Sequence, residues 1–189
     1  MENLWRDDEA KKVVASYAAK GVNRDLALRT YTTRLLGGEP RLVLHGGGNT
    51  SVKTEVTDLV GDTHAVLCVK GSGWDMGVIE PPGLPAVKIS ALLKSRKLDK
   101  LSDEDMVTLL RANLIDPAAP NPSVEALLHA FLPHKFVDHT HSTAILAIAD
   151  QAKSREMSAE LFGTKMGFVP YIMPGFALAK AAAEVFEQD

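Results

Sequence analysis

No helix or strand can run through residues 71–85. The stretch "GSGWDMGVIEPPGLP" holds five glycines and prolines in its last nine residues. Proline lacks the amide donor that a helix interior or a sheet ladder needs, and glycine loses the most conformational freedom when it is ordered. The chain must therefore break here, with separate runs of regular structure on either side.

Upstream, residues 7–20 place acids first and are followed by Gly21, which predicts a helix with a glycine at its C-terminal boundary. Asn23 is placed to cap a second helix that runs to Leu36 and ends at Gly37-Gly38. "RLVL" (41–44) reads as a short buried strand, and "HGGGNTS" (45–51) as the loop after it. "EVTDLV" (55–60) and "HAVLCV" (64–69) flank Gly61-Asp62 as a hairpin. Downstream, Ser102 followed by Asp103, Glu104 and Asp105 starts a helix reaching Asn113. Asn121-Pro122 predicts another, with Asn as the cap, stopped by Pro133 after Leu132. A strand over 136–141, an apolar helix over 143–150, a strand over 167–172 and an alanine-rich helix from Gly175 complete the expectation. Helices and strands are interleaved throughout, so the fold class is α/β, with helices covering a sheet.

The 189 residues suffice for a single domain over 1–189. A net charge of -3 gives no electrostatic case for nucleic acid or an anionic membrane. No window holds the roughly 18 apolar residues of a membrane span, and the charged start "MENLWRDDEAKK" is no secretory signal. The one cysteine, Cys68, cannot form an internal disulfide and fits a cytoplasmic location. It sits in an apolar run without an obvious base, which marks it as a small buried hydrophobe.

Chemistry concentrates in two places. In "FVDHTHST", His139 and His141 would share one face of a strand, with Cα atoms roughly 6.6 Å apart. Neutral imidazoles at that separation can converge on one zinc ion, although a pair of structural histidines has the same pattern. The preceding "NPSVEALLHAFLP" places Ser123 and Glu125 in what would be a first helical turn, where free N–H groups favour anions. His129 follows Glu125 by four residues and would share its face, where it could serve as a ligand, orient Glu125 or pack. His45, His64 and His134 read as surface residues.

The second place is the glycine loop "HGGGNTSVK". Its glycines permit close approach and positive φ, and its N–H groups could form an anion nest, with Asn49 and Ser51 as further donors. A sharp turn with no ligand would need the same glycines. "KGSG" (70–73) is a second small loop, with Lys70 and Ser72 available to a phosphate. No G-x-S-x-G elbow accompanies HGGG, and neither a G-x-G-x-x-G fingerprint nor a P-loop is present.

In that order, the glycine loop, the G-S-G loop, Ser-x-Glu and H-x-H resemble the class II aldolase/adducin N-terminal domain family over roughly residues 25–175. The longer stretches "RLVLHGGGNTSVK" and "PSVEALLHAFLPHKFVDHTHS" look most like the aldolase half of the bifunctional rhamnulose-1-phosphate aldolase/short-chain dehydrogenase proteins. The resemblance implies an αβα layered sheet, commonly assembled as a tetramer. It implies a zinc-dependent cleavage of a sugar phosphate, such as rhamnulose 1-phosphate, to dihydroxyacetone phosphate and an aldehyde. By the same resemblance, Gly48, Asn49 and Ser51 match one phosphate loop, Gly71, Ser72 and Gly73 a second, and Ser123 a third element. Glu125 matches the catalytic acid/base, and His139 and His141 match two of three zinc ligands.

The chain departs from the family pattern in three ways. No histidine follows His141, so the domain reads as truncated, the third ligand is expected beyond Asp189 with a possible dehydrogenase half after it, and this chain alone is expected to bind metal weakly and to show little aldolase activity. Val124 stands where a second serine is common, and Tyr171 is only a loose match to a tyrosine proton donor. The resemblance leaves open a pentulose-phosphate 4-epimerase, a sugar-phosphate dehydratase or a non-catalytic adducin-like domain.

Overall fold

The computed structural model describes residues 2–188. Four strands form an antiparallel sheet in the order β3-β2-β1-β4: β1 is Asn49–Thr57, β2 Thr63–Val69, β3 Ala86–Lys88 and β4 Phe136–His139. Side chains alternate between its two faces. Val52, Val66 and Cys68 point to one face, where Ile79, Leu84 and the helix α2 (Arg24–Gly37) cover them. Helix α1 (Asp7–Ala18) packs on α2. Leu67, Val69 and Val87 point to the other face. There α3 (Ile89–Ser95), α4 (Asp103–Ala112), α5 (Ala126–Phe131) and α8 (Phe176–Gln188) bury Leu92, Leu110, Leu127 and Phe176. Each such large side chain contributes roughly 1.5–3 kcal/mol by leaving water. The result is the expected αβα layering.

The local signals that held have visible causes. Asn23 Oδ1 accepts from Leu26 N at 2.8 Å, and Ser102 Oγ accepts from Asp105 N at 3.1 Å, so both predicted caps work as caps. Cys68 is fully buried, and burial pushes its thiol up to about 12, which leaves it an inert apolar residue.

Other expectations fail for tertiary reasons. Residues 41–44 form a turn, with Leu42 N and Val43 N both bonded to Glu39 O, and Leu44 is exposed. The segment contributes two carbonyls beyond the end of β4, Leu42 O to His141 N and Arg41 O to Thr143 N, and no ladder. The strand begins instead inside the presumed loop, at Asn49. The hairpin turn is the five-residue loop 58–62, which Asp58 closes by accepting from the amides of Val60 and Asp62. Asn121 caps no helix: its carbonyl accepts from Ser72 N, and Ser123 N donates to Lys70 O. That lateral pairing, with the Gly71–Pro122 bridge, holds 121–123 extended and delays α5 to Ala126. Residues 167–172 form no strand, with Pro170 in the middle unable to donate to a ladder. Helix α6 (Thr143–Ala149) forms as expected but buries none of its side chains, and α7 (Ser154–Phe162) was not foreseen. Among the described residues, no helix is long and apolar enough to cross a membrane.

Candidate functional site

Strand β1 presents Asn49, Ser51 and Lys53 on the face that meets α5. Asn49 lies opposite His139 in the β1–β4 register, so both point the same way. On the other side of this seam, Glu125 occupies the position before α5, and His129 follows one turn later. The two rows interlock. Ser51 Oγ lies 2.8 Å from His129 Nδ1. Lys53 Nζ donates to the carbonyls of His129 (2.9 Å), Leu132 (2.6 Å) and His134 (2.7 Å). All three ammonium protons are thereby spent on the C-terminal end of α5, where free carbonyls gather. Burial nevertheless pushes the Lys53 pKa down to about 8.

At the other end of the seam, Glu125 Oε2 lies 3.0 Å from His139 Nδ1. The Glu125 side chain is 18% exposed. Burial pushes its pKa up, but the His139 hydrogen bond and charge, together with the Asn49 amide, outweigh this and hold it below the ordinary value. Glu125 is therefore ionised at neutral pH. At this distance the carboxylate accepts a hydrogen bond from His139 Nδ1–H, which fixes the ring and turns Nε2 away from Glu125.

His141 lies past the end of β4, not on the strand as its spacing predicts. Its ring still packs beside His139, with centroids 4.9 Å apart and an interplanar angle of 57°. The glycine loop makes this possible. A Cβ at Gly47 would meet His141 Nδ1 at 3.1 Å, and one at Gly48 (φ +71°) would press on the His139 carbonyl at 3.0 Å. His45 enters the loop at φ +52°, a left-handed conformation uncommon for a side-chain-bearing residue.

The predicted phosphate groups divide into two sets. Gly48, Asn49 and Ser51 are buried, and Asn49 Oδ1 has no hydrogen-bond partner. Gly71 is buried against Pro122, whereas Ser72 and Gly73 are exposed. Ser123 is half-buried, and its Oγ accepts from Glu125 N at 3.2 Å. The fold thus brings Glu125, His139, His141, Asn49 and Ser123 together, with Ser72 and Gly73 on the open second loop. Tyr171 is exposed, and its hydroxyl bonds to Met173. His64, read as a surface residue, is half-buried against Asp58 (Nε2 to Oδ2, 2.8 Å). His129 packs, bonding Ser51 and making no side-chain bond to Glu125. Lys53 was missed, although the period-two pattern N-x-S-x-K marks it as a third residue on the same face.

The donor set suits a divalent metal in part. Two imidazoles lie side by side, one of them oriented by a carboxylate as ligating histidines commonly are. Among the described residues, no cluster of three or more His, Cys, Asp and Glu side chains is poised for an ion.

A model of the class II aldolase and adducin N-terminal domain matches residues 28–189. The chain is 36% identical over 184 residues to YuxG of Bacillus subtilis (strain 168), named an uncharacterized oxidoreductase. That match takes in 97% of this chain and 25% of YuxG, so the chain spans a quarter of the relative's length. The solved N-terminal class II aldolase domain of a conserved protein from Thermoplasma acidophilum is 40% identical with a TM-score of 0.83, over 97% of this chain and 80% of that one. YgbL from Escherichia coli, described as a candidate aldolase/epimerase/decarboxylase, shares 21% identity and a TM-score of 0.53 over 85% of this chain and 70% of its own. At that identity the likeness shows the fold alone.

Proposed function

The chain belongs to the class II aldolase and adducin N-terminal domain family, and on that premise we propose that it carries the lyase centre of a divalent-metal-dependent aldolase acting on a phosphorylated ketose, such as rhamnulose 1-phosphate. The observation behind this reading is the ionised Glu125 carboxylate 3.0 Å from His139 Nδ1, with the His141 ring beside it. A scaffold domain has no use for a half-buried carboxylate aimed at an imidazole pair. The oxidoreductase name of YuxG is not carried over, since this chain has neither a G-x-G-x-x-G fingerprint nor a P-loop.

His139 and His141 would hold the cation, zinc or another divalent metal, with further ligands from outside this pair. Such a cation supplies a Lewis acid for the negative charge that develops on the substrate oxygen. The remaining chemistry falls to the chain's own groups. Glu125 is charged and can accept the hydroxyl proton of the carbon that becomes the aldehyde. As the C–C bond breaks, its electron pair passes into the ketone half as an enediolate. The same carboxyl can return the proton to carbon, releasing dihydroxyacetone phosphate. Asn49 and Ser123 hold Glu125 in place. Gly47 lets the backbone approach the His141 imidazole closely, and Gly48 does the same at the His139 carbonyl. Ser72 and Gly73 lie on the open loop where a phosphate can be bound.

The test is release of dihydroxyacetone phosphate from several ketose 1-phosphates in the presence of zinc, with epimer and dehydration products assayed in parallel. Glu125→Gln should lower kcat by roughly 10²–10⁴-fold. Epimerisation or dehydration without carbon–carbon cleavage would move the assignment to another reaction of the same family. Full activity in Glu125→Gln would remove the carboxylate from the mechanism.

A further inference from the structure

Lys70 follows the last residue of β2 and is tied on both sides. Its N–H donates to Thr50 O at 3.0 Å, and its carbonyl accepts from Ser123 N at 3.1 Å. Its side chain runs between the two glycine loops. Nζ donates to Gly46 O of the first at 3.2 Å and to Trp74 O, just past Gly73 of the second, at 2.8 Å. An ammonium has three protons, and these bonds use two. Lys70 is 4% exposed, yet among the described residues no carboxylate lies within ion-pair distance of Nζ. Lys53 makes the contrast: its three protons meet three carbonyls and leave nothing to give.

A nearly buried ammonium without a counter-ion is costly, and carbonyl dipoles offset only part of that cost. Burial pulls the Lys70 pKa down, while the more distant charges of Glu125 and Asp75 support the charged form. The surroundings are open on one side. Gly46, Ser72 and Gly73 are exposed, and a Cβ added at Gly46 or Gly73 would meet nothing within 4 Å. Neither the Gly46 nor the Gly73 amide donates to an acceptor among the described residues.

We propose that Lys70 is the anion anchor of this site: its third ammonium proton, held between the two glycine loops, takes a phosphate oxygen of the ligand. The inference rests on the phosphorylated-ketose reading above and names the group that would hold that phosphate. A phosphate monoester fits better than a carboxylate, because it offers three acceptor oxygens to the ammonium and the two loops together and carries more negative charge.

Inorganic phosphate is the probe, titrated by calorimetry into the wild type, Lys70→Met and Lys70→Arg. Lys70→Met keeps the stem and removes the charge. It should bind phosphate at least tenfold more weakly while keeping zinc affinity at His139 and His141, and Lys70→Arg should recover part of the loss. With a cleaved ketose phosphate, KM should rise by a larger factor than kcat falls. Should Lys70→Met fail to fold, the wild type labelled with ¹⁵N-lysine decides: phosphate must shift one Nζ resonance, absent from Lys70→Arg. No such shift, or phosphate affinity in Lys70→Met within twofold of the wild type, overturns the anchor. If the wild type cleaves ketose phosphates in that case, the lyase reading stands without it. Loss of phosphate binding in Lys70→Met, with no cleavage by the wild type, supports the anchor and sinks the lyase reading.

Discussion

Acid should unfold this protein partly through one residue, His129. Its side chain is fully buried, Nδ1 meets Ser51 Oγ, and Nε2 has no partner. Burial, and then the neighbouring His139 charge, push its pKa from 6.5 down to about 3. The folded chain therefore takes no proton here until about pH 3, whereas the unfolded chain takes one near 6.5. Between those values the unfolded state binds more protons, so stability falls as pH falls, by up to about 1.4 kcal/mol per unit. From pH 7.5 to 4.5 this one group removes roughly 2–3 kcal/mol, a large share of the ~5–15 kcal/mol typical of a domain. The assay is urea unfolding at pH 7.5, 6.0 and 4.5, for the wild type and His129→Leu. The variant strands the Ser51 hydroxyl and should be less stable at pH 7.5 by about 1–3 kcal/mol. Its stability should then decline less steeply, so that the two curves converge by pH 4.5. Carboxylates and the other histidines act in both proteins and cancel. Parallel curves would refute the reasoning, because they would mean that His129 is protonated equally in both states.

Three further outcomes follow from the same geometry. Lys53→Met leaves the carbonyls of His129, Leu132 and His134 without their donor and should cost roughly 3 kcal/mol in urea unfolding; an unchanged midpoint would show that water replaces the ammonium freely. Gly37→Ala places a Cβ into the backbone of Met76 and Gly77, so a loss of about 1–3 kcal/mol is expected from overpacking, and a melting temperature equal to that of the wild type would mean the loop yields. His139→Ala with His141→Ala should abolish whatever zinc affinity the wild-type chain shows on titration, with little change in far-ultraviolet circular dichroism; unchanged zinc affinity would place the metal elsewhere.

The fold class, the caps at Asn23 and Ser102 and the break at 71–85 were legible because each rests on local chemistry. Illegible features were decided by neighbours distant in sequence. Asn121 and Pro122 carry a strong helix-start signal, but the Ser72 amide and Lys70 carbonyl recruit this backbone laterally, and lateral pairing prevails. "RLVL" has strand composition but lies against the two residues beyond β4 and can make only two bonds there. The histidine pair shows the reverse. The sequence put both on one strand face; His141 leaves the strand, yet Gly47 lets the loop close on the His141 ring and Gly48 on the His139 backbone carbonyl, and the two rings still lie side by side.

The burial of Asn49 and Ser51 assigns them a role that the glycine-loop motif conceals. A strand advances about 6.6 Å for every two residues, and a helix about 6 Å for every four. Asn49, Ser51 and Lys53 therefore step along β1 at nearly the interval at which Glu125, His129 and the end of α5 step past them. Each level is coupled: His139 bonds Glu125 with the Asn49 amide nearby holding its pKa down, Ser51 meets His129, and Lys53 bonds the terminal carbonyls. A one-residue slip of α5 would put apolar Leu128 or Ala130 opposite Ser51 and leave the ammonium short of its acceptors. Buried polar groups are costly when unpaired, so every alternative register is penalised at three points at once. The seam thus fixes where Glu125 stands relative to His139. On this account the motif's polar residues support the carboxylate from below, and under the proposals above the exposed loop tips and the Lys70 ammonium are the groups offered to a phosphate.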